Sequence, residues 1–288
     1  MSTRYEKLFR PLHERGEGAF VPFIMLGDPT PEDSLKIVRT VVAAGADALE
    51  LGVPFSNPVA DGPTIQASHL RALDGGATVD SSLELISAIR TEFPELPIGM
   101  LIYGNVAFTR GLDRFYAEFA QAGADSILLP DVPVREGAPF IAAAQKADID
   151  PIFIAPARAA EETLKGVAKS SQGYIYAISR DGVTGTEKQS ETLGLEEVVA
   201  KIQRFDGPPV LLGFGISEPT HVQDAIAAGA AGAITGSAIT KIIDRHVSRE
   251  TDTDGIPLEG TPERIDNETA LHEELTEFVS RMKAATRK

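Results

Sequence analysis

Short apolar runs alternate with longer stretches in which apolar residues recur every three or four positions, and this alternation continues almost from end to end. Tyr5 to Arg15 places Tyr5, Leu8, Phe9 and Leu12 on one helical face and reads as a cover for the floor of the fold. Ala19 to Leu26 (AFVPFIML) is apolar throughout and predicts a buried strand. GDPTPED then predicts a helix with Thr30 as N-cap and Pro31 at its first position, running to about Ala44 and stopped by Gly45. A strand from Ala48 to Leu51 follows at once. The pattern next predicts helix 81 to 92 before strand 98 to 103, helix 112 to 122 before strand 126 to 129, and helix 138 to 147 before strand 151 to 154. It ends with helix 161 to 169 before strand 174 to 178, helix 195 to 204 before strand 210 to 212, and helix 219 to 228 before strand 232 to 234.

Strands separated by helices cannot pair as hairpins, so the sheet is expected to be parallel with right-handed crossovers. Eight such units favour an α/β fold of the closed (β/α)8 TIM-barrel type, one domain over residues 1–288, with an N-terminal helix and an extra C-terminal helix from about Glu268 to Ala284. A doubly wound open sheet is the alternative. Against it, no Gly-x-Gly-x-x-Gly turn follows the first strand. The echoes AAGADALELG, QAGADSILLPD and AAGAAGAITGS each put a glycine stop before a short strand, as equivalent units would. Between Ser248 and Asp266 lies an acidic insertion that reads as a loop without chemistry of its own.

Composition narrows the partners. A net charge of -15 and the lack of a Lys/Arg cluster argue against nucleic acid and against an anionic membrane surface. The acidic surface has two readings, simple solubility and adaptation to salt. No apolar run reaches the ~18 residues of a membrane span, and the charged start MSTRYEKLFRPLHERGE holds no signal-like apolar core, so a cytoplasmic location is expected. The absence of cysteine removes disulfide and thiolate chemistry.

In a parallel barrel the chemistry sits at the C-terminal ends of the strands. There ELGVPFSNPVADGP carries Glu50 at a strand end and Asp61 eleven positions later. Alternation puts Leu49 and Leu51 outward and Glu50 inward, near Phe23, Leu101 and Leu128, where burial would raise its pKa into the acid–base range. Asp61 precedes glycine, and residue chemistry leaves it evenly placed between turn residue and functional acid. RDGVTGT (180–186), GFGIS (213–217) and Gly236-Ser237 follow the last three strands, with glycines that admit an anion to backbone N–H groups and a helix start at Ser237. The loop that begins with RDGVTGT could also close over the site. His13, His69, His221, His246 and His272 show no metal-ligand spacing and read as surface or packing residues. No strand-end lysine for pyridoxal phosphate (PLP) and no Ser/His/acid order is evident.

Taken in order, GAFVPFIMLGDP, ELGVPFSNPVADGPTIQ, YAISRDGVTG, GFGIS and GAITGSAI resemble the tryptophan synthase alpha subunit family, from about Arg4 to Asp244 and again in EFVSRMKAATRK. The resemblance implies retro-aldol cleavage of indole-3-glycerol phosphate to indole and glyceraldehyde 3-phosphate, with no cofactor in this chain and a PLP-bearing beta subunit as partner. It implies Glu50 as general acid and base and Asp61 as acceptor for the indole N–H. Phe23, Leu101, Leu128 and Phe214 match the family's indole pocket, Tyr176 its active-site tyrosine, and Thr184 the threonine that positions Asp61. Gly185, Gly215, Gly236 and Ser237 match its phosphate site. Pro54 and Asn57 fall in the loop that faces the beta subunit, and Asn57 stands where the family has aspartate, which puts that communication in doubt. The insertion at 248–266 is longer than the family pattern implies. A free-standing indole-releasing lyase and a non-catalytic, phosphoester-binding regulatory barrel are the alternative readings.

Overall fold

The computed structural model describes residues 3–178, 194–250 and 261–287. Helix α1 (Arg4–Glu14) begins in a capping box between Thr3 and Glu6. Strand β1 (Ala19–Met25) leads to α2 (Pro31–Ala43), where Thr30 caps the helix and Pro31 occupies the first turn as the sequence indicates. The chain continues through β2 (Leu49–Gly52), α3 (Pro63–Asp74), α4 (Val79–Glu92), β3 (Ile98–Leu101), α5 (Gly104–Arg110), α6 (Leu112–Ala122) and β4 (Ser126–Leu128). A short 3-10 turn, Val134–Glu136, precedes α7 (Ala138–Lys146), then β5 (Asp150–Ile152) and β6 (Ile154–Pro156). The remainder runs α8 (Glu161–Ser170), β7 (Ile175–Ile178), α9 (Leu195–Arg204), β8 (Val210–Leu212), α10 (Pro219–Ala227), β9 (Gly232–Thr235) and α11 (Ser237–Asp244). A small hairpin of β10 (Val247–Arg249) and β11 (Glu263–Ile265) leads into α12 (Glu268–Ala284).

All pairings in the main sheet are parallel, in the order β5-β4-β3-β2-β1-β9-β8-β7-β6. Its two edges are consecutive pieces of one extended segment. β5 pairs with β4, β6 pairs with β7, and the chain passes between them through Phe153, so the ring closes on a single split strand. The expected eight-unit barrel is therefore the observed fold.

Two apolar layers hold it together. Leu49 and Leu51 lie with Ile37, Val41, Ile86 and Phe119 in the layer between strands and helices. Phe23, Ala48, Leu128, Tyr174, Tyr176, Leu211 and Ile234 fill the barrel interior, and Tyr5, Phe9 and Leu12 of α1 join them from below. Each such side chain contributes roughly 1.5–3 kcal/mol on burial. Helix α1 is thus the floor that its apolar face predicts.

Four differences from the sequence reading have physical causes. Helix α3 escapes the apolar pattern because its buried face includes Ser68, His69 and Arg71, and its cap, Gly62, provides no side-chain bond. Helix α5 is seven residues long, too short for a periodic signal. The single strand expected at 151 to 154 is longer and split, since each half serves a different neighbour. The ends of the acidic insertion pair as a two-stranded ladder, Val247 with Ile265 and Arg249 with Glu263, where a plain loop was expected.

Arg71 is the main polar tie of the described chain. Its side chain, 4% exposed, bonds Asp28 twice, at 2.5 and 3.0 Å, and Asp244 at 2.6 Å. One guanidinium so joins the ends of β1, α3 and α11, and its buried charge is matched by charge-assisted bonds.

Candidate active site

At one level of the barrel Phe23, Glu50, Gly99 and Ser126 stand side by side on four neighbouring strands. Alternation along β2 sends Leu49 and Leu51 to the helices and turns Glu50 into the barrel, where it is 1% exposed. Tyr174 donates its hydroxyl proton to Glu50 Oε1 at 3.1 Å. Burial pushes the Glu50 carboxyl up to about 8; the Tyr174 bond opposes that shift and the charge of Asp61 adds to it. Gly99, without a side chain, leaves room that the hydroxyls of Ser126, Tyr5 and Tyr174 fill. A Cβ there would stand 3.0 Å from both Ser126 Oγ and the Tyr5 hydroxyl, which contact each other at 2.8 Å.

Asp61 follows a loop braced at several points and is 5% exposed. Its N–H donates to the Pro58 carbonyl at 3.1 Å, and Gln66 Nε2 donates to its own carbonyl at 2.7 Å. Tyr103 donates to Asp61 Oδ2 at 2.7 Å while accepting the Ala60 N–H at 3.0 Å. Burial, the bond to Asp61 and its charge all hold the Tyr103 hydroxyl far above its ordinary pKa, so it stays a donor. His69 places Nε2 3.3 Å from the same Oδ2 and accepts the Phe55 N–H on Nδ1 at 3.0 Å. Of the two readings given for His69, surface or packing residue, the structure shows the buried one. It is 1% exposed because α3 turns it inward one helical turn beyond Ile65, and both its nitrogens are used.

Glu50 and Asp61 line one small cavity. Of the residues singled out in the sequence, Phe23, Glu50, Asp61, Leu101, Tyr176, Phe214, Gly215, Gly236 and Ser237 line it. Leu128 lines an adjoining, wider cavity that shares Asp61, Leu101, Tyr176 and Phe214 with the first. Tyr176 donates to the Gly213 carbonyl at 3.0 Å and meets Phe214 edge to face at 6.3 Å. At the far end Gly236 and Ser237 form the start of α11, whose N–H groups give that end a positive field. The lining of the cavity therefore combines an acid pair, aromatic walls and the anion-attracting backbone of a helix start. Thr184 and Gly185 lie outside the described residues, as does the loop expected to cover the site.

Asn57 is exposed and Pro54 is buried, so of the two positions expected to face a partner it is Asn57 that reaches the surface. Nearby on the same rim, Val59 and Phe108 are 64% and 62% exposed. Ile65, Tyr103, Tyr174 and His69 are site residues that the sequence reading missed. Their signals were present: Tyr174 sits two positions before Tyr176, Tyr103 follows a barrel strand, and Asp61, Ile65 and His69 are spaced by four. Among the described residues no cluster of His, Asp and Glu could hold a metal ion, and no helix is long and apolar enough to cross a membrane.

The family model described as "Tryptophan synthase alpha chain" matches residues 9–286. A tryptophan synthase alpha chain of Corynebacterium diphtheriae is 73% identical, over 99% of this chain and 100% of its own. Among solved structures, tryptophan synthase of Mycobacterium tuberculosis superposes with a TM-score of 0.82 at 26% identity, both chains being covered completely. A tryptophan synthase complex of Pyrococcus furiosus superposes with a TM-score of 0.77 at 28% identity, over 92% of this chain and 98% of that one. The chain, a lyase barrel with its acids at the rim, belongs to the tryptophan synthase alpha chain family.

Proposed function

We propose that Glu50 and Asp61 carry out the family's reaction, the retro-aldol cleavage of indole-3-glycerol phosphate to indole and glyceraldehyde 3-phosphate. The observation that carries this reading is a buried carboxyl whose pKa is raised to about 8, sharing one apolar cavity with a second acid. A carboxyl protonated at neutral pH can give its proton to indole C3. That protonation leaves positive charge on the ring nitrogen, and Asp61, accepting the N–H, stabilises it. Glu50, now a carboxylate, takes the proton of the adjacent glycerol hydroxyl. The C–C bond breaks, its electron pair returns to the ring, the hydroxyl carbon becomes the aldehyde, and Glu50 is again protonated.

Phe23, Leu101, Tyr176 and Phe214 fit the flat ring, with Leu128 behind them. Gly215, Gly236 and Ser237 fit the phosphate end; Gly185 and Thr184, outside the described residues, are assigned to the phosphate and the cover by the family resemblance alone. The steps assigned to this chain use its own side chains; PLP belongs to the beta subunit, with which family members such as the Pyrococcus furiosus protein form a complex. Asn57, Val59 and Phe108 offer that partner a surface at the mouth of the cavity, with Pro54 shaping the loop from within. This placement would let indole pass to the partner without crossing bulk water.

Glu50→Gln is expected to abolish indole formation, read by an indole assay, while binding of glycerol 3-phosphate persists. Near-normal turnover in that variant would remove Glu50 from the mechanism. A non-catalytic barrel would release no indole even as wild type, and a free-standing lyase would not be accelerated by the beta subunit.

A further inference from the structure

His69 bridges the partner-facing loop and the acid at that loop's end. A backbone N–H can only donate, so Nδ1, 3.0 Å from the Phe55 nitrogen, must carry a lone pair. The single proton of a neutral imidazole then sits on Nε2, directed at Asp61 Oδ2. The titratable group packed against the ring from outside α3 is Tyr103, edge-on at 6.1 Å, and it too donates to Oδ2. Within α3 the charge of Arg71 is taken up by Asp28 and Asp244. A doubly protonated ring would lose the Phe55 bond, so this geometry selects the neutral Nε2–H form.

We propose that His69 is a positioning residue for the reaction, a neutral imidazole whose Nε2–H holds Asp61 in orientation while Nδ1 anchors the loop at Phe55. Two donors on one oxygen fix the rotation of the carboxylate, and so fix where its acceptor lone pairs meet a ring N–H. Because Nδ1 grips Phe55, two positions from Asn57, displacement of that loop by a partner moves the same imidazole. The proposal rests on the reading of Asp61 as the N–H acceptor. At 3.3 Å the bond to Asp61 is long, and bonds of this kind tighten when substrate binds.

Two substitutions separate the two nitrogens. His69→Gln puts an amide nitrogen near the place of Nε2 and abandons Phe55; His69→Asn puts an amide oxygen near the place of Nδ1 and abandons Asp61. With the full chain assayed for indole release, H69Q is expected to keep kcat within about threefold. H69N is expected to lose about tenfold in kcat with little change in KM, the value of one hydrogen bond made in the transition state. In an Asp61→Asn background H69N should cost nothing further. A reversed order of the two variants, or fully additive losses with Asp61→Asn, would overturn the role of His69 and leave Asp61 in place. An Asp61→Asn enzyme with normal turnover would overturn the Asp61 reading, and this proposal with it. Independently of any variant, nitrogen-15 NMR of the wild-type imidazole should report the Nε2–H tautomer at neutral pH; the opposite tautomer or an imidazolium would refute the assignment.

Discussion

Burying the Glu50 carboxyl places a cost on the fold. In the unfolded chain its carboxyl ionises near 4.5, the ordinary value for a glutamate, whereas in the folded protein it holds its proton to about 8. Between those values the unfolded state loses a proton that the folded state keeps, so rising pH draws the equilibrium toward unfolding. The stability associated with Glu50 is full below about 4.5, falls through the interval and stays low above about 8. Glu50→Gln removes that loss, so its stability relative to wild type should rise with pH by roughly a few kcal/mol across the window, read as a growing difference in melting temperature. Equal differences at pH 5 and pH 8.5 would contradict the buried, protonated acid. The inward direction of Glu50 was legible because a strand alternates sides. The grip on Asp61 was not, since Tyr103 comes from the turn between β3 and α5, His69 comes from α3, and they meet only in the folded barrel.

At the level of elements, the β8 end shows how backbone makes room for side chains. A Cβ on Gly213 would lie 1.9 Å from the Tyr176 ring, and the Gly213 carbonyl takes that tyrosine's proton. Gly213→Ala is therefore expected to push Tyr176 out of the cavity wall. The overpacking should cost about 1–3 kcal/mol in denaturant unfolding and raise KM for the substrate. An alanine variant with wild-type stability and KM would show that the ring has another resting place. The glycine runs after the last strands announced backbone close to a ligand, and three of the four residues expected at the phosphate end lie on the cavity. The eight-unit alternation was equally legible, because buried parallel strands are continuous apolar runs. What periodicity could not reveal were α3 and α5, one with a polar inner face and one too brief, and the hairpin that depends on pairing residues fourteen to eighteen apart.

Over the whole molecule the charge of -15 opposes compactness, while surface pairs such as Arg39–Glu92 and Lys146–Asp113 favour it weakly. Screening lengths fall from about 30 Å at 0.01 M salt to about 8 Å at 0.15 M, so the melting temperature should rise over that interval and then level off. A climb continuing into molar KCl would instead mark a salt-adapted surface, and no change anywhere would mean that net repulsion is not a cost. The strand order has a further consequence, for the chain as it is made. β1 needs β9 along one edge, and Gly18 and Asp47 need Thr286 and Lys283. A ribosome delivers the first of these partners early and the others last, so the first strand waits with an open edge through most of synthesis. The nascent polypeptide, more than the finished enzyme, is the species that chaperones would have to shelter.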